Sequence, residues 1–261
     1  MFKRPSGKIM RTVLFSLVLR EVRGRLGSKR MGAFWFVFEP LAHILVMMSI
    51  YTFLRHRTLP GFDFPVYLIT GIIPFLLFRN IALKGMEAVN ANKALFSYRQ
   101  IMPFDTILAR TIVESALSAC VYAIVLAGLG FWSGYDVRIA HPLEWFLTLA
   151  VGIVFAFSLA LIFCVITEMV PELKTIIRLL FLPLYLLSGV IIPLWLVPKS
   201  LLELMLWNPL LHIIEQLREE AIDHYPHINE INLEYPAAVS VVTLLCGLAL
   251  YRARRLKLMA L

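Results

Sequence analysis

The apolar residues of this chain are gathered into blocks, and the first runs from Ala33 to Leu54. A helix needs about 20 consecutive apolar residues to cross the hydrocarbon core of a bilayer. Five further blocks of that order follow, at 64–83, 106–132, 145–167, 176–197 and 234–251. Hydrophobic residues make up 60% of the 261 positions and charged residues 16%, which is too apolar and too charge-poor for a soluble domain. The blocks therefore predict an all-α integral membrane protein, one transmembrane domain over 1–261 with six spanning helices. Pro74 is expected to interrupt the second span, and Gly189 and Pro193 to break the fifth.

Lysine and arginine bias sets the expected orientation. The N-terminal segment holds Lys3, Arg4, Lys8, Arg11, Arg20, Arg23, Arg25, Lys29 and Arg30 against Glu21, and the C-terminus holds Arg252, Arg254, Arg255 and Lys257. The stretch 198–235 carries seven acids and two bases. Both termini are thus expected in the cytoplasm, with 198–235 on the opposite side. The net charge of +8 is explained by cytoplasmic ends meeting anionic lipid and calls for no nucleic-acid partner. No cleavable signal peptide is expected, since residues 1–30 are basic but lack a short apolar core followed by a small-residue cleavage site. Cys120, Cys164 and Cys246 each fall inside an apolar block and read as core thiols.

Four regions are neither simple spans nor simple loops. In 10–26, "MRTVLFSLVLREVRGRL", apolar residues and arginines alternate with roughly helical spacing, as in a helix lying in the interface; a plain basic anchor is the other reading. In 84–105, Leu95, Phe96, Tyr98, Ile101 and Met102 give a short helix an apolar face that ends at Pro103. Such a face docks a protein partner or packs back on the spans. In 188–221, Gly189, Pro193, Pro198 and Pro209 cut the chain into short helical pieces. These read as re-entrant half-helices at the mouth of a pathway, or as an amphipathic helix resting on the outer leaflet. The connection 168–178 is a short turn whose charges mark the membrane surface.

No G-x-x-x-x-G-K-[ST] occurs, so no P-loop nucleotide site is encoded. No G-x-S-x-G or H-E-x-x-H occurs, which leaves serine-hydrolase and zincin chemistry unsupported. His224 and His227 lack a convincing third ligand for a metal. Glu39 and Glu114 are the acids well inside spans, too few for a proton-driven transporter, and Arg110 is placed to pair with Glu114 along one helix face. An intramembrane enzyme of glycolipid metabolism would need paired acids or a nucleophile near the surface, and neither is found.

"LREVRGRLGSKRMGAFWFVFEPLAH" (19–43) resembles the N-terminal signature of ABC-2 type polysaccharide-export permeases. "FPVYLITGIIPFLLF", "ANKALFSYRQIMPFDTILAR", "RLLFLPLYLLSGVIIPLWLVPK" and "LWNPLLHIIEQLRE" continue that resemblance in order. The similarity is strongest to the capsule-polysaccharide (polysialic-type) export permeases of Gram-negative bacteria. It implies an ABC-2 (type V exporter) permease fold in the inner membrane, with an N-terminal interface helix, a cytoplasmic coupling helix and re-entrant periplasmic gate helices over 198–233. It implies a homodimer working with two copies of a separate ABC ATPase, which would bind the ATP and Mg; no cofactor is expected on this chain. Periplasmic and outer-membrane export proteins would receive a lipid-linked acidic polysaccharide. A related polymer, O-antigen or teichoic acid, is the alternative cargo.

On that resemblance, Lys93, Phe96, Tyr98, Arg99, Met102 and Pro103 would couple to the ATPase. Gly189, Pro193, Pro198, Trp207, Asn208 and Pro209 would form the periplasmic gate. Trp35, Phe38, Tyr51, Tyr185 and Trp195 are candidates to stack on sugar rings along the canal, against ordinary packing or an aromatic belt. Arg20, Arg23 and Arg25 are candidates to receive an anionic head group, against a positive-inside anchor. Glu39 lies about 9 Å into its span at 1.5 Å per residue. It shares one face with Trp35 and His43, while Pro40 frees the carbonyl of Phe36. Glu39 either locks the start of the span by pairing with His43 or an arginine, or lines the canal mouth.

Overall fold

The protein is described from a computed structural model covering residues 6–27, 32–55, 63–98 and 100–260. Arg99 and the side chains of Trp35, Glu39 and Tyr51 lie outside the described residues. The described chain is helical: α1 (Ser6–Gly27), α2 (Gly32–Arg55), α3 (Phe64–Met86), α4 (Ala88–Ala91), α5 (Pro103–Gly128), α6 (Pro142–Met169), α7 (Leu173–Leu187), α8 (Lys199–Met205), α9 (Pro209–Ala221) and α10 (Glu234–Ala260).

Among the described residues, α3, α5 with its extension to Phe131, α6 and α10 are long and apolar enough to cross a membrane. α2 runs for 24 residues. α7 is 15 residues, about 22 Å at 1.5 Å per residue, shorter than the ~30 Å hydrocarbon core. The fifth apolar block is therefore not one continuous helix. It ends at Leu187, and Gly189 (φ 66) turns the chain into a region that a β-carbon would crowd.

α3 sits at the centre. Its sequence from Pro65 to Phe78 is apolar nearly all round, so every face needs a protein neighbour, and α2, α5, α6 and α9 supply them. Pro74 does not interrupt it: the helix continues from Phe64 to Met86. The ring costs the backbone bond to the Thr70 carbonyl, and the surrounding helices hold the rest of the ladder in register. α6 packs closely on α3 because small residues face it. A β-carbon at Gly85 would come within 2.5 Å of that of Ala160. On its other side α6 meets α10, where the Ser158 hydroxyl lies 2.8 Å from Thr243 Oγ1.

The outer faces of α5, α6, α7 and α10 expose Ile124, Leu147, Leu182 and Leu245, which suits helices solvated by lipid. Cys120 and Cys246 also sit on exposed faces, and only Cys164 of the three is a core thiol. The periodicity places all three in apolar helices; which face they occupy depends on the neighbours.

Candidate functional site

At one end of the bundle α1 lies against α5 and is held there by charge. Glu21 accepts an ion pair from Arg25 one turn on, at 3.1 Å, and another from Arg110 Nε of α5, also at 3.1 Å. Arg25 also pairs with Glu114 of α5, whose second oxygen receives Lys84 Nζ of α3 at 2.9 Å. Arg110 completes the set by donating to the Lys84 carbonyl at 2.6 Å. The expected Arg110–Glu114 pair is thus replaced by bonds between helices. Spacing puts both residues on one face of α5, but α1 and α3 supply nearer partners for each. Glu114 is fully buried, so its charge requires both cations. Arg25 is committed to this network, while Arg20 and Arg23 remain exposed with Lys8 and Arg11.

Beyond Met86 the chain makes short turns. Lys93–Ser97 is a 3-10 turn rather than an α-helix, and Pro103 opens α5 at its first turn. Lys93 is exposed and Phe96 packs partly against the core. Tyr98 is 64% exposed and Met102 49% exposed. The Met102 backbone N–H donates to Asp105 Oδ2 at 3.0 Å, which caps α5. Arg178 of α7 pairs with Glu87 beside this turn, so the connection 168–178 carries a specific contact as well as surface charge.

At the other end, the segment after α7 is anchored by a buried arginine. Arg218 of α9 has no exposed surface. Its Nη1 donates to the Gly189 carbonyl at 2.7 Å and pairs with Glu215, and its Nη2 donates to the Val190 carbonyl at 2.7 Å. The guanidinium carbon lies 3.8 Å from the centre of the Tyr67 ring on α3. Tyr225 donates to the other oxygen of Glu215 at 2.7 Å, and the Tyr67 hydroxyl reaches the Gly189 carbonyl at 3.1 Å. Two loop carbonyls just past the end of α7 are thereby satisfied away from water. Nearby, Glu220 accepts from the Thr148 hydroxyl at 2.7 Å; burial pushes its carboxyl above the usual carboxylate range against that bond.

Asn208 caps α9. Its Oδ1 accepts from the Leu210 backbone N–H at 3.1 Å, and its Nδ2 donates to Ser188 Oγ at 2.9 Å and to the Leu187 carbonyl at 3.3 Å. Pro209 takes the first helical position, Pro193 and Pro198 precede the 3-10 turn Leu194–Leu196 and α8, and Trp207 is 79% exposed. Trp195 is 39% exposed and rests edge-on against Tyr67 and Tyr225. Tyr185 is buried: its hydroxyl lies 2.6 Å from His43 Nε2 and its ring packs on Phe75. Phe38 is exposed and stacks on Phe34. His227 lies 2.7 Å from Glu219, and no three metal-ligating side chains converge among the described residues.

These two charged anchors flank a bundle of apolar helices and a break near one end. The sequence matches the model of the ABC-2 type transporter family over residues 12–220. It is 38% identical over 252 residues to the polysialic acid transport protein KpsM of Escherichia coli, covering 96% of both chains. The chain belongs to the ABC-2 type transporter family. Within that family it is also similar to the capsule polysaccharide export inner-membrane protein CtrC of Neisseria meningitidis, at 27% identity over 92% of this chain and 90% of that one. The O-antigen export system permease RfbA of Myxococcus xanthus matches at 24% identity over 94% of this chain and 93% of its own length. This ABC-2 chain is therefore a transporter subunit of the membrane.

In the sequence alone Arg218 and Glu215 stand only as charges on a polar segment. The signal available was their i, i+3 spacing inside an otherwise apolar stripe, Leu210, Leu211, Ile214 and Leu217. A pair of opposite charges on the buried face of a helix has to be satisfied by something outside that helix.

Proposed function

We propose that this chain is the permease half of an ATP-driven exporter of lipid-linked, acidic capsular polysaccharide. The observation that carries the proposal is its 38% identity to a polysialic acid transport protein over 96% of both chains. In this reading two copies form the canal, and two copies of a separate ABC ATPase bind ATP and Mg and drive it. The absence of a P-loop from the sequence agrees with hydrolysis on a partner. Both termini lie in the cytoplasm of a bacterial cell and six apolar segments traverse the inner membrane, the fifth made of α7 and the pieces beyond its break.

The turn around Lys93, Phe96, Tyr98, Arg99, Met102 and Pro103 receives the ATPase. Its exposed Tyr98 and Met102 support a docking role. The network of Glu21, Arg25, Lys84, Arg110 and Glu114 links α1 rigidly to α3 and α5, so force applied at that end passes into the spans. Arg20 and Arg23, left exposed on α1, attract the anionic head group of the substrate. Trp195, lying on an aromatic cluster near the break, offers a ring face to sugars as they leave, and periplasmic and outer-membrane partners take the polymer from there.

The test is reconstitution of the permease with its ATPase in liposomes, supplied with defined glycolipids. ATP-dependent transfer of an acidic capsular glycolipid is expected, with little transfer of a neutral O-antigen glycolipid. Preference for the O-antigen glycolipid would favour the branch represented by the O-antigen relative, and transfer independent of ATP would remove the proposal.

A further inference from the structure

Resting on the export reading, we infer that Arg218 is a positioning residue. It makes the break after α7 a fixed corner and leaves 196–207 as the part of the gate segment that swings. Gly189, with its positive φ, looks like the natural hinge of this segment, yet its surroundings oppose movement. Its carbonyl accepts from both Arg218 Nη1 and the Tyr67 hydroxyl, and the next carbonyl accepts from Arg218 Nη2. The guanidinium is wedged between the Tyr67 ring and Gly71 of α3, where a β-carbon would overlap it. Glu215 and Tyr225 complete the cluster from α9 and the loop beyond. Arg218, Glu215, Tyr67 and Val190 are all buried. Opening the corner would strip a buried cation of several partners at once, the costliest kind of rearrangement in a bundle of helices.

The stretch from Leu196 to Trp207 is held differently. Leu196, Leu201, Leu204 and Trp207 are exposed, and Met205 is its one buried residue. Its tethers are a small apolar cluster with Leu211 and Ile231, the His212 Nε2 donation to the Leu206 carbonyl at 2.9 Å, and the Tyr235 hydroxyl on the Trp207 carbonyl at 2.9 Å. The Asn232 backbone N–H donates to His212 Nδ1, which leaves the proton on Nε2. Two neutral hydrogen bonds and one apolar cluster are far easier to open than a buried charge. Asn208, bonded to Leu187 and Ser188, pins the far end of the stretch to the same corner. The stretch is thus a flap with both ends fixed at one place.

Amide hydrogen exchange on the full permease–ATPase complex in nanodiscs, with and without ATP turnover, tests this. Amides of 196–207 are expected to exchange on the order of tenfold faster during turnover, while those of 188–191 stay unchanged. Arginine spans Gly189, Val190 and Glu215 with the two terminal nitrogens of a planar fork, which the single ammonium of lysine does not reproduce, so Arg218→Lys should free 188–191 and lower the polymer delivered per ATP hydrolysed several-fold. A residue needed only for folding would instead lower both quantities together, in step with protein level. If Arg218→Lys fails to accumulate, Tyr225→Phe removes one bond of the cluster and should give the same change at 188–191 in smaller degree. Equal acceleration at 188–191 and 196–207 in the unaltered protein would make Gly189 the hinge and overturn the inference while leaving the export reading in place. No nucleotide-dependent change anywhere in the chain would overturn both, with the fault in the export reading.

Discussion

Lys84 of α3 reaches Glu114 of α5 at 2.9 Å, and the carboxylate it meets has no exposed surface. Arg25 of α1 pairs with the same carboxylate, so one buried acid joins three helices. Replacing Glu114 with Gln keeps the volume and removes the charge both cations need. The loss is expected to be about 2–3 kcal/mol, below the ~3–5 kcal/mol of a wholly buried pair because Lys84 still touches water. Thermal unfolding in detergent checks this. The Lys84→Met/Glu114→Gln double variant should lose clearly less than the sum of the two singles, and strict additivity would show that the two do not interact.

Glycines on the helix faces give a contrasting pair. At Gly85 an added methyl meets Ala160 of α6 at 2.5 Å, whereas at Gly128 nothing lies within 4 Å. Gly85→Ala is expected to force α3 and α6 apart at a cost of about 1–3 kcal/mol and to reduce the amount of protein in the membrane. Gly128→Ala should be neutral or stabilise by up to about 1 kcal/mol through helix propensity. Equal melting temperatures for the two variants would contradict the close packing of α3 on α6.

Tyr98 and Met102 project from the turn between α3 and α5 with no core to fill. Alanine at Tyr98 is expected to leave the protein level in the membrane unchanged and to reduce surface polysaccharide at least tenfold, with ATP hydrolysis by the partner continuing. Quantifying capsule alongside membrane protein decides the matter, and normal capsule on Tyr98→Ala cells would remove the docking role from this turn.

Burial opposes the charge on Glu220, and the bonds its carboxylate accepts, from Thr148 and Gln216, come from neutral donors that an amide oxygen satisfies equally well. Glu220→Gln should therefore change stability by less than about 0.5 kcal/mol or raise it slightly. Glu220→Ala strands the buried Thr148 hydroxyl and is expected to cost about 1–3 kcal/mol. A melting point that falls as far for Gln as for Ala would mean that the charge itself is required.

Tyr185 was a candidate for the canal wall, and its hydroxyl lies 2.6 Å from His43 Nε2 between α7 and α2. Tyr185→Phe keeps the ring against Phe75 and removes that bond, at an expected cost of about 0.5–1.5 kcal/mol with export retained. Export abolished at normal stability would return this residue to a direct role with the polymer.

The membrane class of this protein was legible in the sequence alone, because burying a backbone in hydrocarbon demands helices and helices of that length demand runs of apolar residues. So was the break at Gly189, since glycine and proline act on the backbone locally. The family could be read from ordered segments, but the geometry of the charged sites could not. Spacing along α5 paired Arg110 with Glu114, while the folded chain gives each a closer partner on another helix. Pro74 looked like a break and is absorbed, because the helices around α3 outweigh the loss of one hydrogen bond. Arg218 and Glu215 read as surface charge and are buried, because the carbonyls that Arg218 serves are at Gly189 and Val190, 29 and 28 positions away, and Glu215 balances its charge. Local periodicity decides which residues become helix; where an ion finds its partner is decided only once distant helices pack side by side.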